Sequence, residues 1–229
     1  MLVCKGETDA ERLPRYDDAG RQISYVVKEK FELTGAAGED IYDVVEPGEA
    51  ANFTFTNTYS SPKGELRVKK LLELPIGVGD TTGGFPSVTF TLKRLYTGNN
   101  GETVQDTRFS RSLTWSSAEV ERAYNSALSP DANPLSWTGA FENLDIYAPN
   151  GSQYVYEVTE TTLNGYTTYA AQGDVPVKEF NDSHKGVYRV DGLEAKENSE
   201  VQATFYNVYT DEEKISLTGT KQWNDYNDA

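Results

Sequence analysis

Cysteine, histidine and methionine are almost missing from this chain: Cys4, His184 and Met1 are its single examples of each. A lone cysteine excludes an intrachain disulfide, and without clustered Cys and His no zinc site can be assembled. With one histidine there is no plausible nucleophile–His pair. No phosphate-cradling glycine loop is present either, so a conventional enzyme finds little support. No apolar run approaches the length of a membrane span. Nothing behind Met1 reads as a secretory signal, so for a secreted protein the leader and anchor are expected outside these residues. Positive charge is also scarce. With 21 Lys and Arg against 36 Asp and Glu, the net charge is −15, which makes nucleic acid and anionic membranes poor partners. No cofactor is expected.

What the chain does hold is Thr, Tyr and Asn-Gly punctuation, with apolar residues recurring at a period of two. That pattern predicts an all-β protein of hairpins, and 229 residues suffice for one or two β-sandwich cores. A sandwich without disulfides must be held by its core, by a metal or by another covalent link. Asp17-Asp18-Ala19-Gly20 and Asp80-Thr81-Thr82-Gly83-Gly84 have the look of calcium loops. Both lack the alternating oxygen ligands and closing Glu of an EF-hand, and turn chemistry accounts for them better, so no metal is expected.

One stretch occurs twice. Leu13-Pro14-Arg15-Tyr16-Asp17-Asp18-Ala19-Gly20 leads to Tyr25-Val26-Val27-Lys28-Glu29, and Leu144-Asp145-Ile146-Tyr147-Ala148-Pro149-Asn150-Gly151 leads to Tyr156-Glu157-Val158-Thr159-Glu160, at a constant offset of 131. Each copy is followed by a matching strand, Thr54–Tyr59 and Thr204–Tyr209. Gly64–Lys70 is likewise similar to Ile215–Lys221. The chain reads as a length of tandem array whose ends do not coincide with repeat boundaries.

Three polar residues stand at buried parity. On a strand, alternate residues share a face. Lys70 shares parity with Leu66 and Val68; Asn207 with Val201, Ala203 and Phe205; Glu160 with Tyr156 and Val158. Asn57 repeats the asparagine placement beside Phe53 and Phe55, Glu29 the glutamate placement beside Tyr25 and Val27, and Lys221 the lysine placement beside Ile215 and Leu217. Burying an unpaired Lys or Glu costs several kcal/mol, and an unpaired amide roughly 1–3 kcal/mol. Repetition of all three placements points to one cluster in which they meet. An alternative is that Lys70 snorkels to a strand end, Asn207 satisfies a backbone group and Glu160 makes an ordinary salt bridge. Neighbouring Lys69 and Glu157 have outward parity.

The Lys ending the opening strand, the central Tyr-x-Val-x-Glu and the closing Phe-x-Asn-x-Tyr resemble the collagen-adhesin B-type (CnaB) domains of Gram-positive surface adhesins and pilins. Leu-Pro-x-Tyr-Asp before Gly20 and Gly-Thr-Lys-Gln-Trp-Asn-Asp at 219–225 are also typical of that family. The resemblance implies tandem Ig-like β-sandwich modules, each closed by a spontaneous isopeptide bond from the Lys of the first strand to the Asn of the last, assisted by the central Glu. Carried over, the complete set is Lys70, Asn207 and Glu160. Burial disfavours the charged forms of an amine and a carboxyl alike, so the two can meet as neutral groups. The amine then attacks the carboxamide carbon at high effective concentration while the acid shuttles protons and ammonia leaves. That is self-modification, once per molecule, and not turnover. The closed loop would span the 137 positions from Lys70 to Asn207. By analogy with disulfides it is worth roughly 5 kcal/mol, and it would carry force applied along the array.

On this reading, residues 1–59 are the C-terminal part of a B-type domain lacking its first strand. Residues 64–210 form a complete domain, and 214–229 are the first strand of a further one. The surplus of the complete domain lies at 97–136, where Ser116-Ser117-Ala118-Glu119 reads as a capping box before a short helix and Trp115 and Trp137 flank the insertion as anchors. The incomplete ends predict head-to-tail self-association by strand exchange. The 214–229 strand of one molecule would complete the 1–59 unit of another, with Lys221 positioned for Asn57 and Glu29 assisting. The expected role is a structural stalk or backbone module of a bacterial cell-surface adhesin or pilin, extracellular and at the cell wall, with neighbouring repeats as partners. The alternative is an adhesin domain that recognises a host surface ligand through the 97–136 insertion.

Overall fold

The computed structural model describes residues 16–23, 35, 38, 40–45, 56–75, 84–127 and 134–210. Two strands, β1 (Tyr42–Val45) and β2 (Thr56–Tyr59), pair antiparallel as a small sheet. Nine more follow: β3 (Lys63–Leu72), β4 (Val88–Thr97), β5 (Thr103–Gln105), β6 (Arg111–Trp115), β7 (Leu135–Asp145), β8 (Val155–Glu160), β9 (Tyr166–Gln172), β10 (Arg189–Leu193) and β11 (Val201–Tyr209). One helix, α1 (Ser117–Ser126), lies between β6 and β7.

The strands from β3 onward form two sheets. One runs β10-β8-β4, with β5 and β6 pairing successive lengths of β4; the other runs β7-β3-β11-β9. All pairings are antiparallel except β11 on β3. The first and last strands of the module are thus parallel neighbours. Alternation explains why the sheets face each other: Val88, Phe90 and Leu92 of β4 and Leu66, Val68 and Leu72 of β3 are buried, while Thr89, Thr91 and Arg67 are not. Between the sheets these side chains join Tyr156, Val158, Ala203 and Phe205 in one apolar core. The protein is an all-β sandwich of the Ig-like type with a short helical insertion.

Residues 97–136 do more than add a helix. β5 and β6 extend the β4 sheet, which the sequence reading did not anticipate, and α1 forms where the capping signal stood. The Glu119 carboxylate accepts from the Ser116 backbone N–H at 2.8 Å and from its hydroxyl at 2.6 Å, offsetting orphan donors of the first turn. Val120 is the helix residue that reaches the core. Trp115 and Trp137 stack on each other at 5.8 Å, and Trp137 stacks on Phe90 at 6.1 Å. The tryptophans anchor the insertion to the sandwich, as their flanking positions predict.

Candidate functional site

Lys70 sits near the end of β3 and Asn207 near the end of β11. The parallel register sets Lys70 opposite Phe205 and Leu72 opposite Asn207, so both polar side chains enter the same layer of the interior. Glu160 ends β8 on the opposite sheet, opposite Phe90 of β4. The three residues therefore arrive from both sheets, as their parity predicts, and all are buried: Lys70 and Asn207 at 0% exposure, Glu160 at 1%.

They touch. Lys70 Nζ lies 3.1 Å from Glu160 Oε2, and Asn207 Nδ2 donates to Glu160 Oε1 at 2.6 Å. Each carboxylate oxygen thus faces one of the other two groups. Asn207 Oδ1 is buried with no hydrogen-bond partner among the described residues. Lys70 does not snorkel, since its ammonium is as buried as its stem. Lys69, one residue earlier, points outward to Asp174 at 2.6 Å, and Glu157 faces Arg189. These neighbours hold ordinary surface pairs, which leaves Lys70 and Glu160 as the inward members.

Burial holds the Lys70 amine down at about 8, although the adjacent Glu160 pulls it the other way. At pH 7 roughly a tenth of such an amine is unprotonated, where an exposed lysine would have almost none. Phe90 and Phe205 meet at 5.1 Å beside the cluster, and Trp137 covers Phe90. Desolvation of the amine therefore has a visible source in these rings. The arrangement can bring a neutral amine, a carboxamide and a carboxylic acid together without water.

Sequence reasoning missed a second, half-buried polar cluster. Arg94 lies between the rings of Phe109 and Tyr154, its guanidinium carbon 4.4 and 4.2 Å from their centroids. It pairs with Asp106 at 2.8 Å and Asp145 at 2.7 Å, and Asp145 also pairs with Lys63. The signal was available, because Arg94 has the inward parity of Phe90 and Leu92 on β4. Lys63, exposed at the start of β3, is tied into this network from outside.

Asn57 is half-buried on β2, opposite Val44. Glu29 and Lys221 lie outside the described residues. Asp17 is a turn residue: its Oδ1 accepts the backbone N–H groups of Ala19 and Arg21 at 3.0 and 2.8 Å. No group of metal-ligating side chains occurs among the described residues, and no helix among them is long and apolar enough to cross a membrane.

Residues 119–181 match the family model of the Cna protein B-type domain. The chain resembles Cna B-type domains. The matched stretch runs from α1 through β9, so it contains Glu160 but neither Lys70 nor Asn207. Among solved structures, a single B repeat unit of the collagen-binding surface protein Cna of Staphylococcus aureus is similar at 22% identity. That likeness covers 86% of this chain and 71% of that one, with a TM-score of 0.30. The major pilin protein of a Streptococcus pyogenes serotype is similar at 16% identity, over 69% of this chain and 50% of that one, with a TM-score of 0.25. Scores this low carry no argument of their own, and the sandwich stands on the strand order. No curated protein matches the chain.

Proposed function

We propose that the chain is a structural module of a bacterial surface adhesin or pilin, a stalk segment closed by an isopeptide bond between Lys70 and Asn207. The observation that carries this reading is the fully buried Lys70–Glu160–Asn207 contact at 3.1 and 2.6 Å. The B-type match and the repeated sequence motifs supply its setting. A buried Lys–Glu pair adds little net stability over apolar residues of similar volume. A use for it as a reagent explains its presence better than a use as a strut.

The reaction is balanced within the cluster. Lys70 Nζ, as the neutral amine, attacks Asn207 Cγ. Half a rotation of the carboxamide exchanges its two terminal atoms, and its oxygen then accepts from protonated Glu160, which polarises the carbonyl. The proton lost from the attacking nitrogen passes through the Glu160 carboxyl to Asn207 Nδ2. The Cγ–Nδ2 bond breaks, ammonia leaves and the Nζ–Cγ amide remains. Nothing turns over, so the protein acts as a structural element and not as an enzyme.

Residues 64–210 are the complete unit on this reading, 1–59 and 214–229 being parts of neighbouring repeats. Glu29, Asn57 and Lys221 would make the equivalent bond between molecules. The molecule would work outside the cell at the wall, with other repeats of its own array as partners. The host-ligand alternative gains nothing from the tryptophans, whose faces are spent on each other and on Phe90.

Intact mass tests the proposal. The wild-type chain should weigh one ammonia less than its sequence for each bond formed. Glu160→Ala should restore the Lys70–Asn207 deficit, and peptide mapping should find Lys70 joined to Asn207. A wild-type chain at its full sequence mass, folded and undamaged, would sink the reading.

A further inference from the structure

The chain holds three Asn-Gly pairs, Asn100-Gly101, Asn150-Gly151 and Asn164-Gly165. Such a pair favours attack of the glycine nitrogen on the asparagine side chain, because glycine has no Cβ to shield its N–H or restrain the backbone. All three stand in turns, with the glycine at φ 80°, 82° and 78°. Backbone conformation therefore does not separate them. Their hydrogen bonds do.

In the first turn the Gly101 N–H donates to the Gly98 carbonyl at 2.9 Å. The Asn100 carboxamide is held at both ends: Nδ2 donates to Glu102 Oε2 at 2.8 Å, and Oδ1 accepts the Glu102 N–H at 3.2 Å. In the second the Gly151 N–H donates to the Ala148 carbonyl at 2.9 Å. Asn150 Nδ2 donates to the Thr97 carbonyl at 2.8 Å, and its Oδ1 accepts the Ser152 N–H and hydroxyl at 3.2 and 2.8 Å. Nucleophile and electrophile are both tied in these two turns. The third turn is closed one residue later, by the Tyr166 N–H on the Leu163 carbonyl at 3.3 Å. That leaves the Gly165 N–H and the Asn164 carboxamide without a hydrogen-bond partner among the described residues, and Asn164 is exposed.

We infer that Asn164-Gly165 is a site of spontaneous modification, the pair at which the folded protein first converts asparagine to aspartate and isoaspartate. Base from the solvent takes the Gly165 amide proton and the nitrogen attacks Asn164 Cγ. The Cγ–Nδ2 bond then breaks, and Nδ2 leaves as ammonia with a proton returned by water. A second water opens the five-membered imide. Opening between Cγ and the glycine nitrogen gives aspartate. Opening at the main-chain carbonyl reroutes the backbone through Cγ and inserts a methylene into it.

Position gives this change a consequence. The turn joins β8 to β9, and the Gly165 carbonyl accepts the Thr210 N–H at 2.8 Å and its hydroxyl at 3.4 Å, immediately beyond β11. Tyr166, next in sequence, packs edge-to-face on Tyr209 at 5.2 Å. A methylene added at 164 displaces that carbonyl, so the Thr210 amide loses its protection from hydrogen exchange. The end of the last strand loosens with age while the core stays as it was. Lys70, Glu160 and Asn207 take no part, so the modification holds or fails independently of the stalk reading.

Ageing the purified full chain at mildly alkaline pH tests it. Samples are digested under acidic conditions, and peptide mapping with electron-transfer fragmentation separates asparagine, aspartate and isoaspartate at 100, 150 and 164. The hydrogen bonds that must first open slow the two tied sites, so position 164 should react about tenfold faster or more. A urea-unfolded sample is the control, in which the three sites should react at similar rates. Asn164→Gln should remove the early product, and exchange at the Thr210 amide should quicken in step with isoaspartate in the wild type alone. A folded chain in which 100 or 150 keeps pace with 164 overturns the assignment. So does a folded chain unchanged at 164 while the unfolded control reacts. Constant exchange at Thr210 as isoaspartate accumulates overturns the loosening. Mass separates this change from the cross-link, since here ammonia is lost and water gained, and there ammonia is lost alone.

Discussion

Lys70 and Asn207 lie on adjacent parallel strands, two register steps apart, with both side chains turned into one interior where neither meets solvent. Glu160 reaches them from the facing sheet and completes a triangle.

Replacing Lys70 separates the amine from the volume it fills. Lys70→Ala should lose the cross-link, roughly 5 kcal/mol of loop constraint, and leave Glu160 without its partner, a further cost of about 3–5 kcal/mol. Lys70→Met should also lose the cross-link but keep the packing, and be more stable than the alanine variant by about 2–3 kcal/mol. Chemical denaturation read beside intact mass checks both. An alanine variant as stable as wild type would mean that neither the bond nor the pair contributes.

Cross-link formation should quicken as pH rises toward about 8, the value to which burial lowers the Lys70 amine, and level off above it. Below that value most of the amine is protonated and has no lone pair for Asn207 Cγ, so the rate should fall about tenfold per pH unit. Refolding never-folded protein from inclusion bodies at a series of pH values, with mass read over time, gives the profile. A rate that stays flat between about pH 6 and 8 would mean that deprotonation of the Lys70 amine does not limit the reaction.

Gly139 on β7 lies directly against the aromatic cover of the site. A Cβ there would collide with the Trp137 ring and come within 2.7 Å of Leu113 Cδ2, so the Trp137 and Leu113 side chains must shift. Gly139→Ala should cost about 1–3 kcal/mol by overpacking, red-shift tryptophan fluorescence and slow cross-linking by admitting water. Unchanged fluorescence and an unchanged rate would show that the stack does not protect the site.

Arg94 needs its planar fork and its faces at once. Arg94→Lys keeps the charge but loses the two-sided contact with Phe109 and Tyr154 and the simultaneous pairing with Asp106 and Asp145. A loss of about 1–2 kcal/mol is expected, and at about 2–4 °C per kcal/mol the Tm should fall by several degrees. Full cross-linking in this variant is also expected, because Arg94 is not part of the triangle.

Much of the site was legible because strand periodicity is unforgiving. A residue with the parity of Leu66 and Val68 must either enter the core or break the strand, so Lys70 could be placed from sequence alone. The same reasoning would have found Arg94. Arg94 lies outside the motifs that occur twice, and the ring of Phe109 that holds it belongs to the insertion. β5 and β6 were invisible for a different reason. Both are short, and their pairing depends on the edge of β4, a long-range partner that local pattern does not report. The small helix was easier, since Ser116 and Glu119 carry a local hydrogen-bonding signal.

Parallel pairing of β3 with β11 places the entrance and exit of the sandwich at opposite poles. Ten residues of β3, at about 3.3 Å each, make that separation roughly 30 Å. If successive repeats are joined pole to pole, a chain of them lengthens in equal steps, one per repeat. Gain or loss of a repeat by recombination would then change how far the tip stands from its anchor by a fixed increment and leave every other dimension untouched.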